Sequence, residues 1–180
     1  MREVVLYQLV SLDGVAEEPS DWMVDDGPEV FENLARIVGS QTDILLGRVT
    51  YEYWVDFWPS SDMEPFASFI NSTPKHVFTS SPLKDDWAKT VELNTSAVDH
   101  VRALKRQTGG DIGIHGSIRL ARSLLRAELV DRLELVVAPS IAGRGARLFD
   151  ADERLHRLDL VRLNPTPAGS LLLTYQLPPA

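Results

Sequence analysis

Short apolar runs that stop at a glycine, serine or proline, each followed by apolar residues at helical spacing, constrain this chain more than any other feature. The plainest case is Asp111-Ile112-Gly113-Ile114-His115, read as a strand, then Gly116-Ser117 as a turn and helix cap, then Ile118, Ala121, Leu124 and Leu125 as one buried helix face. The same punctuation recurs. Val4–Val10 is a β-branched run that stops at Asp13-Gly14. Asp26-Gly27-Pro28-Glu29 supplies helix-start signals ahead of Val30, Phe31, Leu34, Ile37 and Val38, and the helix ends near Gly39. Thr42–Gly47 reads as a second strand, and Thr50, Tyr51, Trp54 and Phe57 as a short helix. Ser61-Asp62 is the expected cap of a helix through Phe66, Phe69 and Ile70, and Lys75–Thr79 the third strand. Ser96 with Asp99 resembles a capping box for Val98, Val101 and Leu104, with a stop at Gly109-Gly110.

From Arg132 the pattern turns to strand through Leu133–Ala138, ending at Pro139. Arg157–Leu163 and Leu171–Leu177 alternate in period two around Asn164–Gly169, as an antiparallel hairpin does. Strand–helix alternation requires crossovers between parallel strands. The expectation is therefore an α/β fold in a single domain, residues 1–180, with a mixed, mostly parallel central sheet flanked by helices and a C-terminal antiparallel hairpin.

Composition narrows the function. The formal net charge is −8 and there is no Lys/Arg run, so nucleic acid is not an expected partner. There is no cysteine, which removes thiol nucleophiles, Cys-ligated zinc and disulfides. His76, His100, His115 and His156 show no close ligand spacing, so no metal site is expected and each is read as structural or surface. Met1–Leu6 lacks the apolar core of a signal peptide and no stretch reaches membrane-spanning length, so no membrane partner and a cytoplasmic location are expected.

In open α/β sheets ligands bind beyond the carboxyl ends of the parallel strands. That rule selects Ser11-Leu12-Asp13-Gly14, Gly47-Arg48-Val49-Thr50, Thr79-Ser80-Ser81 and His115-Gly116-Ser117. They offer hydroxyls, backbone N–H groups, one Arg and helix N-termini, a set suited to a ligand with several phosphates. Trp22, on the acidic first loop, is a candidate wall for a planar substrate.

At these residues the sequence resembles the dihydrofolate reductase-like family, in particular the reductase domain of bacterial riboflavin biosynthesis, the RibD C-terminal-like proteins. The likeness runs through Ser11–Gly14, Leu46–Glu52, Thr79–Ser81, Gly113–Leu125, Leu129–Leu133 and Ala138–Phe149. The resemblance implies a homodimeric NADPH-dependent reductase acting on a small-molecule substrate, a planar heterocycle or its ribosylamino derivative, as in 5-amino-6-(5-phosphoribosylamino)uracil reduction. It implies cofactor contacts at Gly47, Arg48, Thr50, Thr79, Ser80, Ser81, Gly116, Ser117 and Ile118. Ser11, Gly14, Trp22 and Pro139 would border the substrate, and Asp13 is the catalytic candidate. Phe31 falls where dihydrofolate reductase proper has an acid, which argues against folate, and a cysteine-free chain cannot hold the zinc deaminase half of the riboflavin enzyme. A pterin reductase and a catalytically inactive nucleotide-binding module are the alternatives.

Overall fold

In the computed structural model, which describes residues 1–25, 27–149 and 155–178, strand β1 (Val4–Val10) is buried along both faces. A strand can be apolar on both sides only where layers cover both. Val4 and Leu6 pack with Val101 and Leu104 of α4 (Ala97–Lys105) and with Leu120, Ala121 and Leu124 of α5 (Ile118–Arg126). Val5 and Tyr7 turn to the opposite face, against Val30 and Ile37 of α1 (Pro28–Val38).

The other strands are β2 (Gln41–Gly47), β3 (Lys75–Phe78), β4 (Thr90–Leu93), β5 (Asp111–His115), β6 (Arg132–Val137), β7 (Asp159–Pro165) and β8 (Leu171–Gln176), and the remaining helices are α2 (Arg48–Trp54) and α3 (Phe66–Ser72). Among the described residues they build one sheet in the order β4-β3-β2-β5-β1-β6-β8-β7. Strands β1 to β6 pair in parallel, whereas β8 runs antiparallel to β6 and to β7. This is the expected mostly parallel α/β sheet with its terminal hairpin. A second core beside α1 gathers Ile44, Leu46 and Val77 with Tyr51, Val55, Phe66, Ile70 and Trp87.

Three boundaries differ from the sequence reading. Helix α3 begins at Phe66 and not at Ser61-Asp62: Ser61 follows a turn of 3₁₀ helix at Trp58–Ser60, and its Oγ accepts from Met63 N–H at 3.2 Å instead of capping α3. The hairpin strand begins at Asp159 and reaches Pro165. Strand β4 was not expected: it is an edge strand with Val91 exposed, so it carries little apolar pattern. At the start of α1, Gly27 holds the cap position and Pro28 the first helical one, while Asp26 lies outside the described residues.

Insertion of β5 between β1 and β2 makes the carboxyl ends of those three strands neighbours, although their exit loops lead to different helices. That divergence opens a crevice at the strand ends. Beneath α1, Tyr7, Glu134 and Thr174 stand in register across β1, β6 and β8. The Glu134 carboxylate is 1% exposed and accepts from Arg36 Nη2 at 2.8 Å and Thr174 Oγ1 at 2.7 Å. Arg36→Ala strips a donor from a buried charge and is expected to lower the unfolding free energy by about 2 kcal/mol. Arg102→Ala, which removes an exposed pair with Asp99 at 3.5 Å, should cost about 0.5 kcal/mol or less. Urea unfolding of the two variants measures the difference.

Candidate functional site at the strand ends

Gly47 ends β2, and its N–H donates to Ser117 Oγ at 2.9 Å. That bond ties the carboxyl end of β2 to the turn after β5, across the crevice. Ser117 sits at the N-cap of α5, as the sequence suggests, but its side chain makes no cap hydrogen bond because it faces Gly47. The N–H of Ser117 is taken by His115 O at 2.7 Å and that of Ile118 by Gly116 O at 3.0 Å. The turn therefore does not offer those two N–H groups to a phosphate, as the resemblance implied. It offers the Ser117 hydroxyl and, past Ile118, the N–H groups of Arg119 and Leu120, which a helix start leaves without intrahelical partners.

Gly116 has φ +65°, and a Cβ there would meet Trp54 Cζ2 at 2.8 Å and Thr50 Cγ2 at 3.3 Å. Only glycine fits. Thr50 and Trp54, one helical turn apart on α2, thus press against the turn that carries Ser117. Arg48 is only partly exposed, and its Nε donates to Glu52 Oε1 at 2.8 Å, an i,i+4 pair that leaves the far edge of the guanidinium uncommitted. At the end of β3, Thr79 is buried and closes its own turn, donating to Ser81 O at 2.6 Å and accepting from Ser81 N–H at 3.2 Å. Ser80 is left exposed at the tip.

The other flank is built from the loops after β1 and β6, which are interlocked. Asp13 accepts from Ser11 Oγ at 2.6 Å and from the N–H groups of Ala142 and Gly143, each at 3.0 Å, with Arg147 Nη2 at 3.7 Å. Leu12 N–H donates to Ser140 O, Ala16 N–H to Ala146 O and Leu148 N–H to Gly14 O. The Ser11 hydroxyl first, then the two backbone donors, hold the Asp13 carboxyl down at about 2 against the burial that would raise it. Asp13 is therefore an ionised anchor with its acceptors occupied, poorly suited to lend a proton. Gly14 has φ +83° at the tip of this loop, and Pro139 is exposed at the end of β6. Trp22 is buried, with its indole N–H donating to Glu17 O at 2.8 Å, so it packs the loop.

His115 is read from sequence as structural or surface, and the structure buries it. It is 2% exposed at the base of the Gly116 turn, with Nε2 2.8 Å from Gln41 Oε1 and its ring among Tyr7, Phe66 and Phe69. Burial pushes its pKa down to about 3, so it is neutral near pH 7. Its Nδ1 has no hydrogen-bond partner among the described residues. No spacing rule signals such a residue, since its neighbours come from three other elements, β1, β2 and α3. Phe31 is about one-third exposed on α1, and the nearby Asp25 is tied to Gly27 N–H at 3.0 Å and to Thr166 Oγ1. Glu29 and Glu32 line a different cleft, of about 530 Å³, between α1 and the hairpin.

The order of the sheet and the crevice at its strand ends give this chain a fold of the dihydrofolate reductase-like class. Dihydrofolate reductase from Enterococcus faecalis, solved in complex with NADP(H), superposes with a TM-score of 0.66 at 15% identity over 97% of this chain and 96% of that one. A pyrimidine reductase-like protein from Corynebacterium diphtheriae gives 0.68 at 18% identity, over 99% of this chain and 93% of that one. The diaminohydroxyphosphoribosylaminopyrimidine deaminase/5-amino-6-(5-phosphoribosylamino)uracil reductase of Thermotoga maritima gives 0.68 at 14% identity, over 98% of this chain and 57% of that one. Within that class the chain belongs to the RibD C-terminal domain family, whose model matches residues 2–172. The uncharacterised protein YyaP of Bacillus subtilis (strain 168) is 25% identical over 97% of this chain and 94% of its own length.

The Asp13 tie has a measurable consequence. Its pKa lies below that of a free carboxyl, so the tie is at full strength above the usual carboxylate range and fades only as the pH falls toward 2. Asp13→Asn is expected to speed amide exchange at Ala142 and Gly143 about tenfold. Exchange mass spectrometry at pH 7 should show this while β1 and β6 stay protected.

Proposed function

We propose that this chain is an NADPH-dependent reductase of the riboflavin-pathway type, which passes hydride to a planar heterocycle or its ribosylamino derivative. The observation that carries the reading is the Gly47–Ser117 bond. It makes the Ser117 hydroxyl an acceptor from the backbone, which leaves its own proton to point at an anion beside the uncapped start of α5. The residues present fit a dinucleotide: a buried hydroxyl at Ser117, an exposed Ser80 and an Arg48 whose far guanidinium edge is uncommitted among the described residues.

NADPH, when bound, supplies the hydride. The chain's own residues bind and orient. Ser117 and the first turn of α5 receive the pyrophosphate, Arg48 and Thr50 approach the phosphates from α2, and Ser80 and Ser81 border the adenosine 2′-phosphate. Thr79 shapes that turn. The interlocked loops of Ser11–Gly14 and Pro139–Gly143 wall the substrate side and exclude water, with Asp13 as their anchor. No carboxyl on α1 is set for protonation, so the proton that accompanies hydride comes from solvent. This favours a riboflavin-type substrate over a pterin that needs assisted protonation. The exposed Leu160, Val161 and Leu163 of the edge strand β7 support a homodimer, the assembly the resemblance implies.

Ser117→Ala is expected to weaken NADPH binding about tenfold in a fluorescence titration. Arg48 is assigned to the 2′-phosphate as well as to the pyrophosphate, so Arg48→Ala should weaken NADPH more than NADH, which lacks the 2′-phosphate. Equal losses for the two cofactors would remove Arg48 from that contact, and no NADPH binding at millimolar concentration would overturn the reading.

A further inference from the structure

Away from the strand ends, Asp43 of β2, His76 of β3 and His100 of α4 form a chain that the reductase reading does not use. His76 Nε2 lies 2.8 Å from Asp43 Oδ1, and His100 Nε2 lies 3.0 Å from His76 Nδ1. The guanidinium of Arg2 closes the far end, donating to Asp43 and to Thr42 Oγ1. His76 and Asp43 are largely buried and His100 partly so.

Donor and acceptor roles follow from the carboxylate. An ionised Asp43 only accepts, so His76 Nε2 carries a proton; His76 Nδ1 is then the acceptor and His100 Nε2 the donor. Burial works against the Asp43 charge, but the hydrogen bonds from His76 and Arg2 outweigh it and hold the carboxyl at about 2. The chain accommodates one extra proton without losing a bond, because the His76–His100 hydrogen bond can run in either direction. A second cannot be accommodated. With two, His76 Nδ1 and His100 Nε2 would both carry hydrogen across 3.0 Å, donor against donor and charge against charge.

The charged groups around the pair do not relieve that conflict. Asp99 and Arg102 on α4 are exposed and paired at 3.5 Å, Glu92 on β4 accepts from Leu83 N–H, and Lys105 farther down α4 is paired with Asp131. Lys75 turns to the opposite face of β3, under the Trp87 ring. The His100 ring also stands edge-on to Phe78, with centroids 5.7 Å apart, and Phe78 is the register partner of Gly47 and precedes Thr79. The pair thus joins α4 to the strand end that carries Ser80 and Ser81.

We propose that His76 and His100 form a proton-operated latch: with one extra proton or none it fastens α4 to β3, and a second extra proton releases α4 together with the Phe78–Ser81 strand end. Burial, and then the charge on His76, hold His100 below the ordinary imidazole range, with Asp43 opposing more weakly. A histidine whose folded value is depressed stabilises above the unfolded value near 6.5, and that contribution is lost as the pH falls through the folded value. Release therefore belongs to the acid side. The latch rests on the histidine geometry alone; only its effect on the cofactor rests on the reductase reading.

The test uses the full chain. Amide exchange, corrected for its intrinsic pH dependence, is followed at α4 and at β1 between pH 7 and pH 4.5. In the wild type, α4 is expected to lose protection about tenfold relative to β1. In His100→Gln, whose amide can donate to His76 Nδ1 and accept from it after protonation, that loss should vanish. Neutral His115 also resists charging, but it lies among Tyr7, Phe66 and Phe69, so its effect appears at β5 and α3. Undiminished protection of α4 at pH 4.5, or the same opening in His100→Gln, overturns the latch. Imidazole nitrogen NMR gives a second readout that needs no variant. The His100 nitrogens should titrate below the ordinary imidazole range, and titration within that range overturns the latch. Failure of NADPH to bind at either pH would sink the reductase reading and leave the latch standing.

Discussion

The parallel pairing of β1 with β5 on one side and β6 on the other is the constraint on which the rest of the molecule depends. Each pairing needs a crossover, and the crossovers place α4 and α5 on one face of the sheet and α1 on the other. With β1 buried on both sides, a one-residue slip would exchange Val4 and Leu6 for Val5 and Tyr7 between two different cores. Register is therefore strongly specified at the centre. Its consequence is felt at the strand ends, where β5, inserted between β1 and β2, brings the Ser11, Gly47 and Gly116 loops to one edge.

Hydrogen bonds rather than apolar contacts hold that edge. Ser117 braces β2 to β5 through a backbone N–H, and Asp13 braces the loop after β1 to the loop after β6 through two. Such bonds are directional, so they fix where loops stand without filling the crevice between them. Neither brace is a side chain acting on its own loop alone. The cleft of about 530 Å³ between α1 and the hairpin and the apolar one of about 370 Å³ beside Leu125 and Leu177 both lie elsewhere, so the candidate site rests on strand-end geometry and not on cavity size.

Much of this was legible from residue order. Strand β1, strand β5 and helix α5 follow from periodicity and from the Gly116-Ser117 punctuation, because buried central elements carry the strongest apolar pattern. The edge strand β4 was not legible, since its side chains are largely exposed, and neither was the true start of α3, where the plausible cap Ser61 follows a 3₁₀ turn and accepts from Met63 N–H instead. Among candidate site residues, Gly47, Ser80, Gly116 and Ser117 were selected by the rule that strand ends bind ligands. Their roles were less legible: Ser117 reads as a helix cap but bonds to Gly47, Thr79 turns inward to its own turn, Asp13 anchors the loop after β6, and Trp22 is packed.

Sequence alone determined the fold class, the absence of cysteine chemistry, and the four loops where a ligand would meet the sheet, because periodicity, composition and turn residues are local properties of the chain. Tertiary structure decided which polar groups meet. Gly47 and Ser117 are 70 residues apart, Asp13 and Gly143 130, and Asp43, His76 and His100 come from three elements. A hydrogen bond demands contact within a few tenths of an ångström, and only the sheet order and crossovers place such distant residues that close.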